Sequence, residues 1–435
     1  MTLKRNLAAV TVVTVGLLLH IAAAPPAVQA QAPGGALRVA VPFDLVEVLD
    51  WAKFKIRVPK NWNGTLLVYL PGSRLGAPPP EPVLVPPVLP GSQPALEEAL
   101  LSRGYALAAT EVANLEIPHK EALQDGLALT SYFRGRVGDP VRVILWGTSA
   151  GASAALKMIE DYPRTFAGAI ATCAGGAGLP RRVDRALDWA LAYAAAFGWP
   201  ADKWGPLEDP RAGLDVAGVG AALQWPKQDG SNRGSWEFLR LVVGIPTEAF
   251  WETDPAQGVP GWQETLSGAT IGRSQWDASA AGPVCQNLDR HYTLKPEEKT
   301  YLAGLGINAD ALLAKMNART NIMAAPWARD YIERFGGLRG KLLRPTLTLH
   351  TTVDPVVEVA HESAYRAQVE GWAGLDRLVQ VYVKGVGHCA FTSAQLLATL
   401  EAMERWLDTG VRPDASFFPE DKGFDNKFVP PPWPY

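Results

Sequence analysis

The chain has 435 residues, of which 48% are hydrophobic and 20% are charged. This composition can bury a large core and excludes an intrinsically disordered chain. The formal net charge is −3 at pH 7. Without basic runs, the sequence lacks the electrostatic features of proteins that bind nucleic acid or anionic lipid. We therefore expect neither kind of partner.

The first 30 residues have the layout of a secretory signal peptide. Lys4 and Arg5 precede a largely apolar stretch over 7–24, and residues 28–30 offer a cleavage point after Ala30. An uncleaved membrane anchor is the alternative, but it needs about 20 apolar residues, and threonines and a histidine interrupt this stretch. No later segment reaches about 18 uninterrupted apolar residues. We expect cleavage near Ala30 and an extracellular or periplasmic protein without an integral membrane segment.

Strand-like and helix-like segments alternate up to residue 175. The predicted strands cover 52–58, 65–70, 105–109, 141–146 and 167–172, and the predicted helices cover 95–103, 121–134 and 150–162. Such an alternation is typical of βαβ units, so it predicts a mainly parallel sheet flanked by helices.

The alternation stops over 176–340 and returns afterwards. Nine of the 15 tryptophans lie in this stretch, with apolar residues at helical spacing and no convincing buried strand. Beyond it we predict strands over 346–351 and 378–384 and helices over 357–370 and 392–407. The predicted domains are a signal peptide over 1–30, an α/β core from 31–175 and 341–410, a mostly helical cap over 176–340, and a proline-rich tail over 411–435 that lacks a core pattern.

Residues 147–151 read Gly-Thr-Ser-Ala-Gly, a GxSxG sequence that directly follows an apolar strand and opens a helix. In that context the serine sits on a strained strand-to-helix turn that exposes its hydroxyl above the sheet. Gly147 and Gly151 would allow the neighbouring backbone to approach closely. The alternative is a glycine-rich turn in which Ser149 only caps the helix. We predict that Ser149 is a nucleophile.

A serine hydroxyl needs a base to remove its proton and an acid to orient that base. Asp354 follows the predicted strand 346–351, and His388 follows the predicted strand 378–384. Both should stand at the carboxyl edge of the sheet, where doubly wound sheets gather their active residues. The alternatives are a turn aspartate before proline and a solvated loop histidine. Glu358 is close enough in sequence to serve as a backup acid.

The other histidines fit the role of the base less well. His350 lies inside a predicted strand and is expected to be a packed core residue. His361 lies in a predicted helix beside Glu362, and a solvated helix face would explain both. His119 and His291 follow no predicted strand.

The tetrahedral intermediate of acyl transfer needs hydrogen-bond donors for its oxyanion. The Ala150 N–H, at the start of the helix after Ser149, is expected to be one donor. The second should come from the loop after strand 65–70, from Gly72 or Ser73, and we prefer Ser73.

In their strand contexts, Ser149, Asp354 and His388 resemble the α/β-hydrolase superfamily, of the secreted serine-esterase type with a cap domain. The resemblance covers about 60–175 and 340–410, and Pro71 stands where members commonly carry histidine before glycine. The pair His388-Cys389 also resembles tannase-type and feruloyl esterases, whose cysteine is bonded to one just before the nucleophile. Thr148 occupies that position here, so the tannase subgroup is not supported.

Three cysteines, Cys173, Cys285 and Cys389, permit at most one intrachain disulfide. Cys173 lies in an apolar strand-like run, where a buried free thiol is expected. Cys285 and Cys389 are the expected pair, and their bridge would tie the cap to the loop of His388. No cysteine belongs to a CxxC motif and no histidines show ligand spacing, so we predict no metal site.

These residues predict a secreted, cofactor-independent serine hydrolase that cleaves carboxylic esters. The alternatives are an exported peptidase that releases short peptides and a non-catalytic binding protein on the same fold. The expected partner is a small-molecule or polymeric ester. The cap tryptophans are expected to line an apolar acyl or aryl pocket, although for any single one the cap's own core is the better expectation. They are Trp189, Trp199, Trp204, Trp225, Trp236, Trp251, Trp262, Trp276 and Trp327.

Overall fold

A mainly parallel sheet of eight strands forms the frame of the described part of the chain. The computed structural model describes residues 37–49, 52–73, 81–111, 119–210, 214–256 and 258–434. The predicted signal peptide over 1–30 lies outside these residues. Within them, no helix combines the length and the apolar character needed to cross a bilayer.

The strands follow one another in the sheet in the order β1-β2-β4-β3-β5-β6-β7-β8. The β1–β2 and β2–β4 pairs are antiparallel, and all later pairs are parallel. Their bounds are β1 Phe43–Leu49, β2 Ala52–Val58, β3 Thr65–Leu70, β4 Ala106–Thr110, β5 Arg142–Thr148, β6 Gly168–Thr172, β7 Thr346–Val353 and β8 Leu378–Val386.

The α-helices alternate with the strands at both ends of the chain and stand alone in between. Their bounds are α1 Gln93–Ser102, α2 His119–Tyr132, α3 Ala150–Asp161, α4 Leu179–Phe197, α5 Ala201–Trp204, α6 Val216–Ala222, α7 Arg233–Val242, α8 Thr247–Trp251, α9 Gly261–Ser267, α10 Arg273–Ser279, α11 Pro296–Gly304, α12 Ala309–Asn317, α13 Pro326–Gly336, α14 Ala360–Gly371 and α15 Ser393–Thr409. A π-helical turn, Gly268–Gly272, joins α9 to α10.

Helices cover both faces of the sheet, which is why β3, one of its two middle strands, is buried along its whole length. All six residues of β3 are buried, as expected for a strand with neighbours on both edges and helices on both faces. Because successive side chains point to opposite faces, Leu66 and Val68 pack with α2 and α3, whereas Leu67 and Tyr69 pack with α1 and α15. The predicted α/β fold with a parallel sheet is confirmed.

The stretch between β6 and β7 contains α4 to α13 and has a hydrophobic core of its own. Trp189, Trp204 and Trp236 lie in this core and are at most 1% exposed. Their indole rings pack against the rings of Tyr193 and Phe197. Most of the tryptophans that were predicted to line a pocket therefore lie in or against the core of the cap.

The C-terminal tail packs on the sheet, although the sequence showed no core pattern there. Phe418 and Phe424 are each 3% exposed and join the cluster that contains α1 and α15. Phe424 also forms a bridge to Val383 of β8. Phe418 and Phe424 add to a core that is formed mainly by other elements. Because the two residues belong to no periodic apolar pattern, the sequence analysis did not detect them.

Candidate active site

Ser149 lies on the turn between β5 and α3, with φ 56° and ψ −119°. The turn depends on glycine at both flanking positions. A Cβ on Gly147 would lie 2.2 Å from the Gly151 oxygen, and one on Gly151 would lie 2.1 Å from the Leu70 oxygen. Any larger residue would push the backbone apart, so the spacing of the GxSxG sequence is a steric requirement. The serine stands at the carboxyl end of β5, as a nucleophile elbow requires.

The structure brings the three predicted residues together. The His388 Nε2 lies 2.9 Å from the Ser149 Oγ, and the His388 Nδ1 lies 2.8 Å from the Asp354 Oδ2. The serine follows β5, the aspartate follows β7 and the histidine follows β8. In a parallel sheet these ends share one edge, which is why residues up to 239 positions apart meet. Their catalytic roles stay a prediction that activity measurements must test.

The carboxylate of Asp354 is fully buried and held in its ionised form. Its Oδ1 accepts the N–H groups of Val356 and Val357 at 2.8 and 2.9 Å. Burial alone would raise the pKa of Asp354, but the charge of His388 and hydrogen bonds from His350 and His388 outweigh it and hold the pKa well below its ordinary value. The acid is thus ready to orient the His388 imidazole and to stabilise it once protonated.

Behind Asp354 lies a second histidine with a second acid. The His350 Nε2 is 3.3 Å from the Asp354 Oδ2, and the His350 Nδ1 is 3.1 Å from the Glu362 Oε1. Burial by itself would lower the pKa of His350, but hydrogen bonds with both carboxylates raise it to about 10. His350 is 0% exposed, as expected for a core histidine, but it also neutralises two buried acids.

The solvated helix face predicted for His361 and Glu362 is wrong. Both residues are 2% exposed, because this side of α14 packs against the core. The Glu362 carboxylate accepts hydrogen bonds from Thr348 and Gln380 at 2.6 Å each. His361 and Glu362 therefore belong to the protein interior, which only the residues packed around them show.

Glu358 is engaged away from the His388 imidazole. Its carboxylate is ion-paired with Arg185 at 3.0 Å and lies 3.9 Å from the His361 Nε2. We predicted Glu358 as a backup acid because it is close to Asp354 along the chain. The backbone after Asp354 instead carries Glu358 toward the first helix of the cap, so the structure does not support that role.

The predicted oxyanion donors surround Ser149. A Cβ on Gly72 would lie 2.9 Å from the Ser149 Cβ, so the backbone after β3 passes directly beside the serine. Gly72, Ser73 and Ala150 line the same cavity as Ser149 and His388. The Ala150 N–H lies in the first turn of α3, where helix N–H groups have no acceptor within the helix. The assignment of the second donor to Ser73 or Gly72 stays a prediction.

A carboxylate that the sequence did not reveal holds the loop of His388. The Asp254 Oδ2 accepts the backbone N–H of His388 at 2.6 Å. Asp254 is 0% exposed, lies between α8 and α9 of the cap, and also accepts the N–H of Ala256 at 2.7 Å. The two partners are 134 positions apart, and no local motif marks the aspartate.

The disulfide joins Cys173 to Cys389 and leaves Cys285 free. The expected Cys285–Cys389 bridge is therefore wrong, as is the expected free thiol at Cys173. Cys173 directly follows β6, and Cys389 follows His388 beyond β8, so both stand at the carboxyl edge of the sheet with their Cα atoms 5.5 Å apart. Cys285 is buried within the cap core, and burial raises the pKa of its thiol to about 12.

The cavity beside Ser149 has a volume of about 480 Å³ and mixed walls. Its described lining includes Arg182, Glu264 and Trp276 from the cap and Tyr69 from β3. Of the nine predicted pocket tryptophans, Trp276 is the one that the described lining contains. The π-helical turn over 268–272 forms part of the same wall.

Among the described residues, the grouping of histidine, cysteine and acidic side chains that comes close enough for a metal ion is Cys173, His388 and Cys389. Its two sulfur atoms are joined in the disulfide, so they are not thiolate ligands.

Comparison with known proteins places the chain among distant relatives. It is 23% identical over 446 residues to o-phthalyl amidase from Xanthobacter agilis, covering 90% of this chain and 92% of that protein. It is also similar to feruloyl esterase B from Aspergillus oryzae, with 13% identity, a TM-score of 0.43 and coverage of 88% and 86% of the two chains. Est1E from Butyrivibrio proteoclasticus gives 12% identity, a TM-score of 0.37 and coverage of 84% and 98%. No protein-family model matches the chain.

The sheet and the candidate site together have the arrangement of one known fold. The sheet has one antiparallel end followed by parallel strands, and the serine elbow stands between the central strand β5 and α3. The candidate residues follow in the chain order serine, aspartate, histidine. The predicted α/β-hydrolase fold is confirmed, because the described part of the chain has this sheet, this turn at Ser149 and this order of residues.

Proposed function

We propose that the protein is an exported serine hydrolase that cleaves carboxylic esters through an acyl-enzyme on Ser149. The observation that carries the proposal is the unbroken path from the Ser149 Oγ to the His388 Nε2 (2.9 Å) and from the His388 Nδ1 to the Asp354 Oδ2 (2.8 Å). A serine paired with such a base loses its proton as it attacks a carbonyl carbon.

The reaction then follows from the positions of these groups. Ser149 attacks the carbonyl, and His388 takes the hydroxyl proton while Asp354 orients and stabilises the imidazolium. The Ala150 N–H and an N–H of residue 72 or 73 stabilise the oxyanion. His388 next passes the proton to the leaving oxygen, which departs as an alcohol. Water, activated by the same imidazole, hydrolyses the acyl-enzyme.

The walls of the cavity favour an acyl group with an apolar body. Tyr69 and Trp276 offer rigid aromatic surfaces next to the serine, and such surfaces are common in small-molecule sites. About 480 Å³ of space accommodates a small aromatic or medium aliphatic group. The other eight cap tryptophans are not part of the described lining of this cavity.

Amide hydrolysis is the second candidate function, and the similarity in sequence to an amidase favours it. The o-phthalyl amidase that matches 90% of this chain is an amidase by name. Esters and amides share the same acyl-enzyme, and they differ in the basicity of the leaving group that His388 must protonate.

The test compares p-nitrophenyl acyl esters, acyl p-nitroanilides and aminoacyl p-nitroanilides on the wild-type protein and two serine variants. Ser149→Ala should lower kcat/KM by about 10⁴-fold or more with an unchanged circular dichroism spectrum. Ser102→Ala, at an exposed serine, is the matched control. A phosphonate probe should label Ser149.

Each outcome separates the candidates. Turnover of esters alone supports the ester hydrolase, turnover of acyl anilides supports the amidase, and turnover of aminoacyl anilides supports the exported peptidase. A wild-type protein that is neither active on any of these substrates nor labelled by the phosphonate contradicts the hydrolase and favours a binding protein.

A further inference from the structure

We propose that Arg182 binds a free carboxylate of the substrate, so that the preferred substrates are half-esters or half-amides of dicarboxylic acids, or esters of hydroxy acids. The inference rests on the proposed hydrolysis at Ser149 and adds the substrate class. It starts from one cation in the wall of the cavity beside the serine.

Arg182 lies in the first turns of α4, and its side chain lines the same cavity as Ser149 and His388. It is partly buried. An arginine remains charged at all ordinary pH values, so the cavity contains a permanent positive charge. Burial of such a charge costs free energy unless a partner compensates for it.

Within the part of the chain that the structure describes, the Arg182 guanidinium has no ion pair: no carboxylate oxygen lies within 4.0 Å of it, and the charges of Glu358, Glu264 and Asp354 act on it from a greater distance. Arg185, one helical turn further along α4, differs in this respect. Its guanidinium is paired with Glu358 at 3.0 Å and donates to the Val243 oxygen at 3.0 Å. Of these two arginines, the one without an ion pair among the described residues is the one that lines the serine cavity.

The surroundings of Arg182 suit a planar anion. The Arg182 Cζ lies 5.8 Å from the centre of the Trp276 ring. A guanidinium presents its N–H groups along the edge of its plane. That edge matches the two oxygens of a carboxylate. Trp276 would at the same time contact the apolar part of the substrate.

Among the described residues that line this cavity, Glu264 is the acidic one and could oppose an anion. Its side chain is partly buried and lines the cavity with Arg182. Burial raises the pKa of Glu264, although the charges of His388 and Arg182 act in the opposite direction. A raised pKa means that Glu264 takes up a proton more readily than an exposed glutamate does, which would lessen its repulsion of a bound carboxylate.

The first experiment measures kcat/KM for methyl half-esters of straight-chain dicarboxylic acids from succinate to suberate. Each is compared with a neutral methyl ester in which an isopropyl group replaces the carboxylate. A second arm places the charge on the leaving group, as in the acetyl esters of hydroxy acids. Wild-type protein should prefer the anionic member of at least one series by about 10- to 100-fold, the range expected for a charge-assisted hydrogen bond.

Arg182→Met should abolish this preference, and Arg182→Lys should retain part of it. The matched control is Arg181→Met, which removes the exposed neighbouring arginine and should leave the anionic-to-neutral ratio as in the wild type. An equal ratio in wild-type protein, or an unchanged ratio in Arg182→Met, overturns the proposal. The comparison of anionic and neutral esters on the wild-type protein tests the proposal even if the Arg182→Met variant fails to fold.

Calorimetry separates failure of this inference from failure of the proposed function. Free adipate and free phthalate are titrated into the Ser149→Ala protein and into the same protein with Arg182→Met. Binding that disappears with the arginine supports the carboxylate site even if no ester is hydrolysed. Ester hydrolysis without diacid binding and without an anionic preference leaves the hydrolase intact and removes the carboxylate site.

Discussion

At the scale of single residues, the central feature is one carboxylate oxygen that two histidines share. His388 and His350 both contact the Asp354 Oδ2, at 2.8 and 3.3 Å. His388 faces the serine, whereas His350 is enclosed and faces Glu362 on its other side. The buried histidine therefore supplies positive charge to a region that contains two buried acids. Its role is to position and stabilise, because it does not contact the serine.

This arrangement predicts a pH-dependent contribution of His350 to stability. The pKa of His350 is raised from 6.5 to about 10 in the folded protein. Between those values the folded state retains a proton that the unfolded state has lost, so the stabilisation is complete below pH 6.5 and disappears as the pH rises through 10. His350→Gln should lower the free energy of unfolding at pH 6 by roughly 3–5 kcal/mol, and the difference from wild type should shrink toward pH 10.

Urea unfolding of both proteins across this pH range measures the difference. His291→Gln, at an exposed histidine, is the control and should follow the wild-type curve. A gap between wild type and His350→Gln that stays constant with pH would mean that the His350 charge does not contribute.

At the scale of elements, four adjacent strands place the chemistry at one edge. β5, β6, β7 and β8 are neighbours in the sheet and run parallel, so the residues after them converge. Ser149, Cys173, Asp354 and His388 are those residues. The disulfide reaches from the end of β6 past β7 to Cys389, directly beside the histidine. It therefore connects the end of β6 to the loop that carries His388.

Removal of this disulfide should affect both stability and catalysis. The double variant Cys173→Ala/Cys389→Ala should lose about 2–5 kcal/mol of stability, because the bridge closes a long loop in the unfolded chain. Its sequence separation is 216 residues. Ester hydrolysis should fall by at least about 10-fold, since a small displacement of a catalytic group is costly.

Peptide mapping without reductant is the direct check and should identify the Cys173–Cys389 bridge with Cys285 as the free thiol. Cys285→Ala, which removes a buried cysteine away from the serine, should leave the bridge and the turnover number in place. Three free thiols in the purified protein would refute the assignment.

At the scale of the whole molecule, the cap contributes to the site in two ways. It supplies residues that line the cavity, and it supplies an acceptor for the backbone N–H of His388. Trp276 and Arg182 line the cavity, and Asp254 accepts the N–H of His388 at 2.6 Å. Residues 34–435 accordingly form one compact unit by their contacts. A segment inserted into the core fold thus contacts the backbone of His388, the residue that we propose as the base.

The hydrogen bond between Asp254 and the His388 N–H leads us to expect a larger effect on turnover than on substrate binding. Asp254→Ala leaves the partly buried N–H of His388 without its acceptor, which costs about 1–3 kcal/mol and releases the loop. We expect kcat to fall by about 10-fold or more with little change in KM. Asp254→Asn retains an oxygen acceptor and should recover most of the loss.

Steady-state kinetics with a rapidly cleaved ester provides the measurement, and the nearby exposed Glu252→Ala is the control. A variant in which only KM rises would assign Asp254 to substrate binding instead of to the histidine loop.

The sequence by itself determined what depends on local pattern. Alternating strands and helices predicted the parallel sheet, and the steric demands of Gly147 and Gly151 marked Ser149. The rule that active residues follow parallel strands selected Asp354 and His388, because chain order and strand ends are both readable from a single sequence. The nine cap tryptophans, by contrast, could not be divided into wall and core, since the same residue type serves both.

Only the tertiary structure decided which distant residues meet. Cys389 pairs with Cys173 and not with Cys285 because the strand ends converge, and that distance is invisible in the sequence. Asp254 reaches His388 from 134 positions away, and Glu362 is a buried partner of His350 although its helix looks amphipathic and solvated. Arg182 and Arg185 are alike in sequence, and their neighbours alone make one a structural ion pair and leave the other facing the cavity. Burial and pairing are properties of the assembled surroundings, so they arise only when the chain has folded.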